Sequence, residues 1–480
     1  MFRLILITLA LVMPAIAGGP KVTIVIGSKA TPLDKLAAEQ LSKDFGLLFA
    51  AECSVQADVP DDATNVVLIG HPQSNAAIPA DAWPKLTAQG HILKSTRQGL
   101  IVGGGSPVAT LWAAGELSSR FGMRHLLQGD VLPVEKPVFK LDGFDITLEP
   151  KLQMRGWSMY NGNATGAESW SRGEHLALLR QLVKLKFTHI LMAKHIVAPK
   201  ALAVDGDTAG RKAFGGAKEF PVIKPGLDLR SDATALGLQV VEAGVVTHGL
   251  GARVPSVLPQ FSVASLDRQF HFMLKHGASS FFVNANIPGE LNAAAYFVSR
   301  VSFDDKLGAS QSLADLVTPI CGEGVTGRME KGFEFIAQAT KLIDANDPEL
   351  GVPGPDMLLH IYQSKAALPP WVTEVKTLYT NAMSEMYRAN TRAREGARPF
   401  ILYHAKRLEF AMHWLTAIES LYKAHDATVR TESLEAAVES IYNALNAFGD
   451  VARDPSDRGA IALLNAYGYH PLQKLLDSGK

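Results

Sequence analysis

Polar and aromatic residues gather where four predicted strands in the middle of the chain end. The strands are predicted over residues 152–159, 187–193, 238–246 and 279–284, and helical segments separate them. Strands that alternate with helices indicate parallel βα units, whose carboxyl ends meet on the face where barrel enzymes build their sites. We therefore expect one substrate-binding cleft, lined by the residues at or near those ends: Trp157, Tyr160, Lys194, His195, His248, Asn284 and Asn286.

Two carboxylic acids accompany these side chains. Glu242 lies within the third predicted strand, and Glu290 follows the fourth by a few residues. Glycoside hydrolysis usually needs two carboxyl groups across the scissile bond, one as acid and one as base or nucleophile. We predict Glu242 and Glu290 as this catalytic pair. Structural roles stay open, since Glu242 could be a hydrogen-bonded buried or outward-facing residue, and Trp157 could belong to the core rather than support a sugar ring.

Other site chemistries find little support in the sequence. Glu409 and His413 stand four apart on one helical face, but no third ligand with suitable spacing accompanies them, so no metal is predicted. The glycine run 103–105 lacks the third glycine of a dinucleotide motif and the Lys-Ser/Thr pair of a P-loop. A tight turn between a strand and a packed helix explains it better. No Gly-x-Ser-x-Gly motif occurs, and no cofactor is predicted.

Composition narrows the choice of partners. The chain has 480 residues with 47 basic and 47 acidic side chains, and it contains no run of like charge. This balance gives no reason to expect nucleic acid or an anionic membrane as partner, and it suits a neutral or weakly charged substrate. Cys53 and Cys321 are the two cysteines, too few for a disulfide framework, and whether they pair stays open.

The first 17 residues have the pattern of a signal peptide. A short basic start precedes the apolar run 4–13, and small residues at Ala15 and Ala17 stand before Gly18 as at a cleavage site. The apolar run is too short for a permanent membrane anchor, and no later segment reaches 18 apolar residues. We therefore expect a secreted or periplasmic protein that is not inserted in a membrane after cleavage.

Periodicity divides the remaining chain into three predicted domains. Residues 18–145 alternate strands and helices, with Thr31-Pro32 as a helix start. Residues 146–303 alternate again, and Ser171 with Glu174 forms a capping box. Residues 304–480 change to a 3.6-residue apolar period and predict a helical bundle. The predicted class is α/β, with a small α/β domain, a barrel-like domain and an all-helical domain.

Specific segments resemble a group of glycosidases. Residues 100–117 (LIVGGGSPVATLWAAGEL), followed by Phe121-Gly-Met-Arg124, resemble the N-terminal α/β domain of bacterial β-hexosaminidases of glycoside hydrolase family 20 and of α-glucuronidases of families 67 and 115. Arg155-Gly156-Trp157 is similar to the first barrel strand of those enzymes, and residues 296–304 resemble the start of their helical segment. The resemblance implies a TIM barrel followed by helices, and a polysaccharide or oligosaccharide substrate.

The chain also departs from these enzymes. Only about 150 residues separate the flanking domains, whereas a full barrel usually takes about 250, so we expect a shortened or degenerate barrel. Family 20 enzymes carry an adjacent Asp-Glu pair, which this chain lacks. Two functions stay open on the sequence alone. One is an exported glycoside hydrolase of α-glucuronidase or hexosaminidase type, and the other is a non-catalytic protein that binds glycan or another protein. The oligomeric state is left open.

Overall fold

A computed structural model describes residues 18–159, 165, 170–192, 229–242, 247–254, 256–352, 354–355, 357–364 and 366–478. Within these ranges no helix is both long enough and apolar enough to cross a membrane. The structure confirms the predicted class, with sheets in the N-terminal part of the chain and helices in the C-terminal part.

The first sheet has six strands in the order β2-β1-β3-β5-β4-β8. Its strands are β1 Lys21–Val25, β2 Glu52–Gln56, β3 Val66–Ile69, β4 His91–Thr96, β5 Gly99–Gly104 and β8 Asp145–Leu148. Strand β1 runs parallel to β2 and to β3, and β3 runs parallel to β5, whereas β4 is antiparallel to both β5 and β8. The short hairpin of β6 Arg124–Leu126 and β7 Gly129–Val131 stands apart. Strands β4 and β5 form a second hairpin, with the turn at residues 97–98.

Two helices cover this sheet, and a side-chain cap marks the start of each, the first at the predicted Thr31. Helix α1, Pro32–Phe49, starts with the Thr31 hydroxyl accepting from the Asp34 amide, and α2, Pro107–Arg120, starts with Ser106 in the same role. Gly103 and Gly104 end β5, and Gly105 begins the turn into α2. The turn is closely packed, because a Cβ on Gly105 would lie 1.9 Å from the Thr87 carbonyl oxygen. The predicted passage from a strand through a tight turn to a packed helix is therefore confirmed.

The second sheet has five parallel strands in the order β11-β10-β9-β13-β12. They are β9 Met154–Ser158, β10 His189–Leu191, β11 Gln239–Val241, β12 His248–Gly249 and β13 Ser280–Asn284. Strands β10 and β11 lie in succession on one side of β9. Strands β13 and β12 lie on its other side, with β13 next to β9. This is the order of a (β/α)8 barrel with strands missing between β11 and β12 among the described residues. The expected barrel-like arrangement of parallel strands is confirmed for the described residues.

The helices packed around this second sheet are α3 Arg172–Lys184, α4 Arg230–Ala235, α5 Val263–Lys275 and α6 Asn292–Val301. The capping box predicted at Ser171 and Glu174 is present at the start of α3.

The C-terminal part is helical within the described ranges. Its helices are α7 Ala309–Cys321, α8 Glu323–Asn346, α9 Met357–Ser364, α10 Pro370–Arg392, α11 Arg398–Lys423, α12 Arg430–Gly449, α13 Pro455–Leu464 and α14 His470–Asp477. The longest of these pack side by side, α10 against α8 and α11, and α11 against α12. Their apolar stripes form a core continuous with that of the sheets. Cys321 and Cys53 are free thiols.

A buried ionic cluster joins the first sheet's helices to the barrel-like domain. Glu116 on α2 is 1% exposed and accepts from Lys186 Nζ and Arg300 Nη1, each at 2.6 Å. Burial opposes its ionisation, but the Arg300 and Lys186 cations outweigh burial and hold the Glu116 pKa well below its usual range. Buried charges need such pairing, so the cluster ties α2 to the segments that carry Lys186 and Arg300.

Candidate functional site

A cavity of about 150 Å³ lies at the carboxyl ends of β12 and β13. We call it the strand-end cavity. Three of the predicted site residues line it: Asn284, Asn286 and Glu290. The cavity lies where parallel strands end, which is the face on which barrel folds build their sites.

The two asparagines are held by the strand end and the loop after it. Asn284 is the last residue of β13, and its carbonyl accepts from the Leu250 amide at 3.1 Å. Asn286 donates through Nδ2 to the Ser256 carbonyl at 2.8 Å and accepts at Oδ1 from the Thr165 hydroxyl at 2.5 Å. These contacts fix the wall of the cavity on the β13 side.

Glu290 is a buried carboxylate on a short 3-10 turn, Pro288–Leu291. Its Oε1 atom accepts from Arg407 on α11, and no described residue donates to Oε2. Burial raises the pKa of the Glu290 carboxyl, and the Arg407 cation pulls in the opposite direction. Arg407 also donates to the Val257 carbonyl, so helix α11 anchors both an acidic group and a loop of the cavity.

Gln260 is a lining residue that the sequence analysis missed. Its side chain is 2% exposed, and neither Oε1 nor Nε2 has a hydrogen-bond partner among the described residues. Buried amides are nearly always hydrogen-bonded, so an unpartnered one beside a cavity needs an explanation. In the sequence, Gln260 stands out only as the one polar residue of the apolar segment 257–261. A search limited to residues at the ends of predicted strands does not include this segment.

Two residues predicted to contact substrate lie on the wrong face of the sheet. The register places Trp157 in one row with Val283 and Ile190, and His248 continues that row on β12. This row faces the surrounding helices. Trp157 is only 2% exposed and packs edge-on against Phe187 with ring centroids 5.5 Å apart.

The prediction of Trp157 as a sugar platform is therefore corrected to a core role. His248 contacts Gln269 on α5 at 3.1 Å and does not line the strand-end cavity, although its neighbours Thr247 and Gly249 do. The reason is the alternation of side chains along a strand, which sends adjacent residues to opposite faces.

Glu242 and Glu290 are not brought together. Glu242 directly follows β11, at the sheet edge three strands away from β13, about 14 Å along the sheet at the usual spacing of ~4.8 Å. It forms an ion pair with Arg230 at the start of α4 and does not line the cavity. Paired glycosidase carboxyl groups lie about 5–9.5 Å apart. A joint acid–base role for these two residues stays a prediction that this geometry does not support.

Three predicted residues, Tyr160, Lys194 and His195, lie outside the described residues. Among the residues that the structure does describe, no cluster of three or more His, Cys, Asp or Glu side chains could hold a metal ion. The lining of the strand-end cavity offers amide and hydroxyl groups, one carboxyl group and the Arg253 guanidinium. Such groups donate to and accept from hydroxyls.

Solved structures of several glycoside hydrolases are similar to this architecture. A family GH115 4-O-methyl-α-glucuronidase with specificity for decorated arabinogalactans matches 94% of this chain and 80% of its own, with a TM-score of 0.62 and 11% identity. A GH138 enzyme targeting pectin rhamnogalacturonan II matches 90% of this chain and 92% of its own, with a TM-score of 0.46 and 9% identity.

A GH84 structure matches 89% of this chain and 90% of its own, with a TM-score of 0.39 and 9% identity. No protein-family model matches the sequence, and no curated protein does. The first similarity is one of fold, at an identity too low to carry over residues or substrate. The predicted resemblance to glycosidases is confirmed at this level: the chain has a glycosidase-like fold.

Proposed function

We propose that this chain is an exported glycan-binding protein with a glycoside hydrolase fold, and that the strand-end cavity holds one sugar unit of a polysaccharide or oligosaccharide. The observation that carries the proposal is the lining itself. The cavity is lined by Asn284, Asn286, Glu290 and Gln260, whose amide has no partner in the described part of the chain, and it lies at the face where barrel folds bind substrate.

The size of the cavity supports one unit rather than a chain. Pockets for drug-sized ligands commonly enclose about 300–1,000 Å³. The strand-end cavity measures about 150 Å³, so a longer glycan would extend from it into solvent. Binding the end or a side branch of a polysaccharide suits this shape.

Glycoside hydrolysis, of α-glucuronidase or hexosaminidase type, is the second candidate. One observation favours it: the Glu290 carboxyl is buried and its pKa is raised, which is the property of a general acid in glycosidases. Against it, no second carboxyl group lines the cavity among the described residues, and Glu242 lies at the far edge of the sheet.

One experiment separates the two functions. The chain from residue 18 onward is incubated with glucuronoxylan, chitin-type and sulfated algal polysaccharides, and both sugar release and retention on each immobilised glycan are measured. Retention without release supports binding alone. Release that Glu290→Gln abolishes establishes hydrolysis through the cavity, and Glu242→Gln tests the proposed partner acid. A folded protein that neither binds nor cleaves any glycan refutes the proposal.

A further inference from the structure

Two aspartates share the first turn of helix α13. Asp454 caps the helix, and its Oδ1 atom accepts from the Asp457 amide at 3.0 Å. Asp457 is the third residue of the helix and is fully buried. Each carboxyl group also has a partner on another element: Gln128 Nε2 donates to Asp454 at 3.1 Å, and the Tyr403 hydroxyl donates to Asp457 at 2.8 Å. Two acidic groups in one turn therefore join α13 to two other parts of the fold.

The contact at Asp454 continues into the turn of the β6–β7 hairpin. Gln128 lies in that turn, and its Oε1 atom accepts from Asn292 Nδ2 at 2.9 Å. The Oδ1 atom of Asn292, the first residue of α6, accepts from the Leu127 amide at 2.8 Å. One chain of hydrogen bonds thus runs from the Leu127 amide to the Asp454 carboxyl group, so this amide reports whether the hairpin is held against α13.

The cations near the two carboxyl groups are engaged elsewhere. The charged and titratable groups that face the pair come from the surrounding elements: Arg453 and Arg458 at the start of α13, Tyr403 and Arg407 on α11, Glu290 before α6, Glu174 on α3 and Asp130 on β7. Arg458 pairs with Glu174, and Arg407 pairs with Glu290. Within the part of the chain that the structure describes, neither aspartate of the pair has an ion-pair partner of its own.

This arrangement favours a proton on the pair. Burial raises the pKa of both aspartates, and the charge of Asp457 raises the pKa of Asp454 further. A protonated carboxyl group still accepts hydrogen bonds, so one proton removes the repulsion and keeps the acceptors for Gln128 and Tyr403. Asp454 is half-buried and lines a cavity of about 330 Å³, which gives the proton a route from solvent. Groups that interact this closely titrate as a pair.

We propose that Asp454 and Asp457 form a pH-sensitive latch between helix α13 and the β6–β7 hairpin. With a proton on the pair the latch is closed, and with both carboxyl groups ionised their repulsion opens the contact at Gln128. The closed state holds a proton that a separated aspartate releases above about pH 3.9. Closure is therefore favoured most below this pH and weakens as the pH rises, until the pair has lost its proton. This behaviour is independent of the ligand that the strand-end cavity binds.

Hydrogen exchange at the Leu127 amide measures the closed latch directly. Protection factors, which correct for the intrinsic pH dependence of exchange, are determined on the chain from residue 18 onward at pH 5 and pH 8. We expect the Leu127 protection factor to fall by at least about tenfold, the effect of one pH unit of titration by one group. A smaller fall, or a rise, would overturn the proposal.

Two variants show whether this pair is the cause. Asp454→Asn keeps a side chain that caps a helix as well as aspartate does, Asp457→Asn keeps the size of the buried group, and each removes one charge. In each variant we expect the fall of the Leu127 protection factor to be at least about threefold smaller than in the parent, because the repulsion between carboxylates is lost. Asp81→Asn, at an exposed position, is the control and should match the parent. A fall as large as the parent's in either variant would assign the pH dependence to other groups and overturn the proposal. If one variant does not fold, the other still decides.

Discussion

Replacing Arg407 by Met tests the support of the strand-end cavity most directly. The Arg407 guanidinium is fully buried and lies against the rings of Phe448 and Phe410, with its centre 3.6 and 4.8 Å from the two ring centroids. It neutralises Glu290, which is 4% exposed. Methionine retains much of the apolar stem, so the change mainly removes the positive charge and its hydrogen bonds.

The expected loss follows from leaving Glu290 buried without a counter-ion. Breaking a buried ion pair by removing one partner typically costs about 3–5 kcal/mol, far more than an exposed pair. Because the pKa of Glu290 is already raised by burial, the variant raises it further. The folded state then holds a proton that the unfolded chain releases above about pH 4.3, so the variant should lose more stability as the pH rises.

Urea unfolding followed by tryptophan fluorescence measures this loss, since Trp414 lies on the same helix as Arg407. The double variant Arg407→Met, Glu290→Gln is the matched control, because a neutral amide needs no counter-ion. It should recover more than about 1 kcal/mol of the free energy of unfolding lost by the single variant. A single-variant loss below about 1 kcal/mol, or a double variant no more stable than the single one, would refute the argument.

Three further predictions concern charges elsewhere in the fold. Burial lowers the pKa of His404 to about 3, so below about pH 6.5 the unfolded chain binds a proton that the folded chain does not. The parent should therefore lose stability as the pH falls from 7 to 4, and His404→Phe should lose less. Equilibrium unfolding should show a difference of up to ~1.4 kcal/mol per pH unit. Equal slopes for both proteins would contradict this. Burial opposes ionisation of Asp130, but the hydrogen bond from His125 and the Lys184 ammonium outweigh burial and lower the pKa. The stability that ionised Asp130 adds is therefore present above about pH 4 and is lost at more acidic pH. The difference in unfolding free energy between the parent and Asp130→Asn should shrink from pH 5 to 3, and a constant difference would count against the ion pair. Glu242→Gln breaks a half-exposed ion pair with Arg230 and should cost at most about 1 kcal/mol of unfolding free energy; a larger loss would mean that Glu242 has a structural role beyond this pair.

Local sequence signals were sufficient to predict most of the helices and strands. Thr31 and Ser171 begin helices because their side chains satisfy free backbone amides within the next three residues, which requires no information from the rest of the fold. Strand β2 was missed because it lies at an edge and four of its five residues are exposed, so it lacks the apolar run that marks a buried strand. Strand β8 was missed on the other edge for a similar reason.

The site was predictable only in outline. Asn284 and Asn286 follow from the rule that parallel strands end on one face, but the face of each strand residue depends on register, which placed Trp157 among the helices. Glu290 was found without its partner, because Arg407 lies 117 positions further along the chain. Gln260 escaped because its significance is a missing hydrogen bond, which only three-dimensional packing reveals.

The contacts between the strand-end cavity and the C-terminal helices have a consequence for the order in which the protein matures. A ribosome adds residues from the amino end, so Glu290 emerges well before Arg407, and Phe448, which covers that guanidinium, emerges later still. Every nascent chain therefore passes through a stage in which the acid of the cavity has no counter-ion and loop 257–260 has no anchor from Tyr379 or Arg407. Synthesis of the last helices is thus the step that completes the cavity, and a chain that stops short of them lacks a finished site.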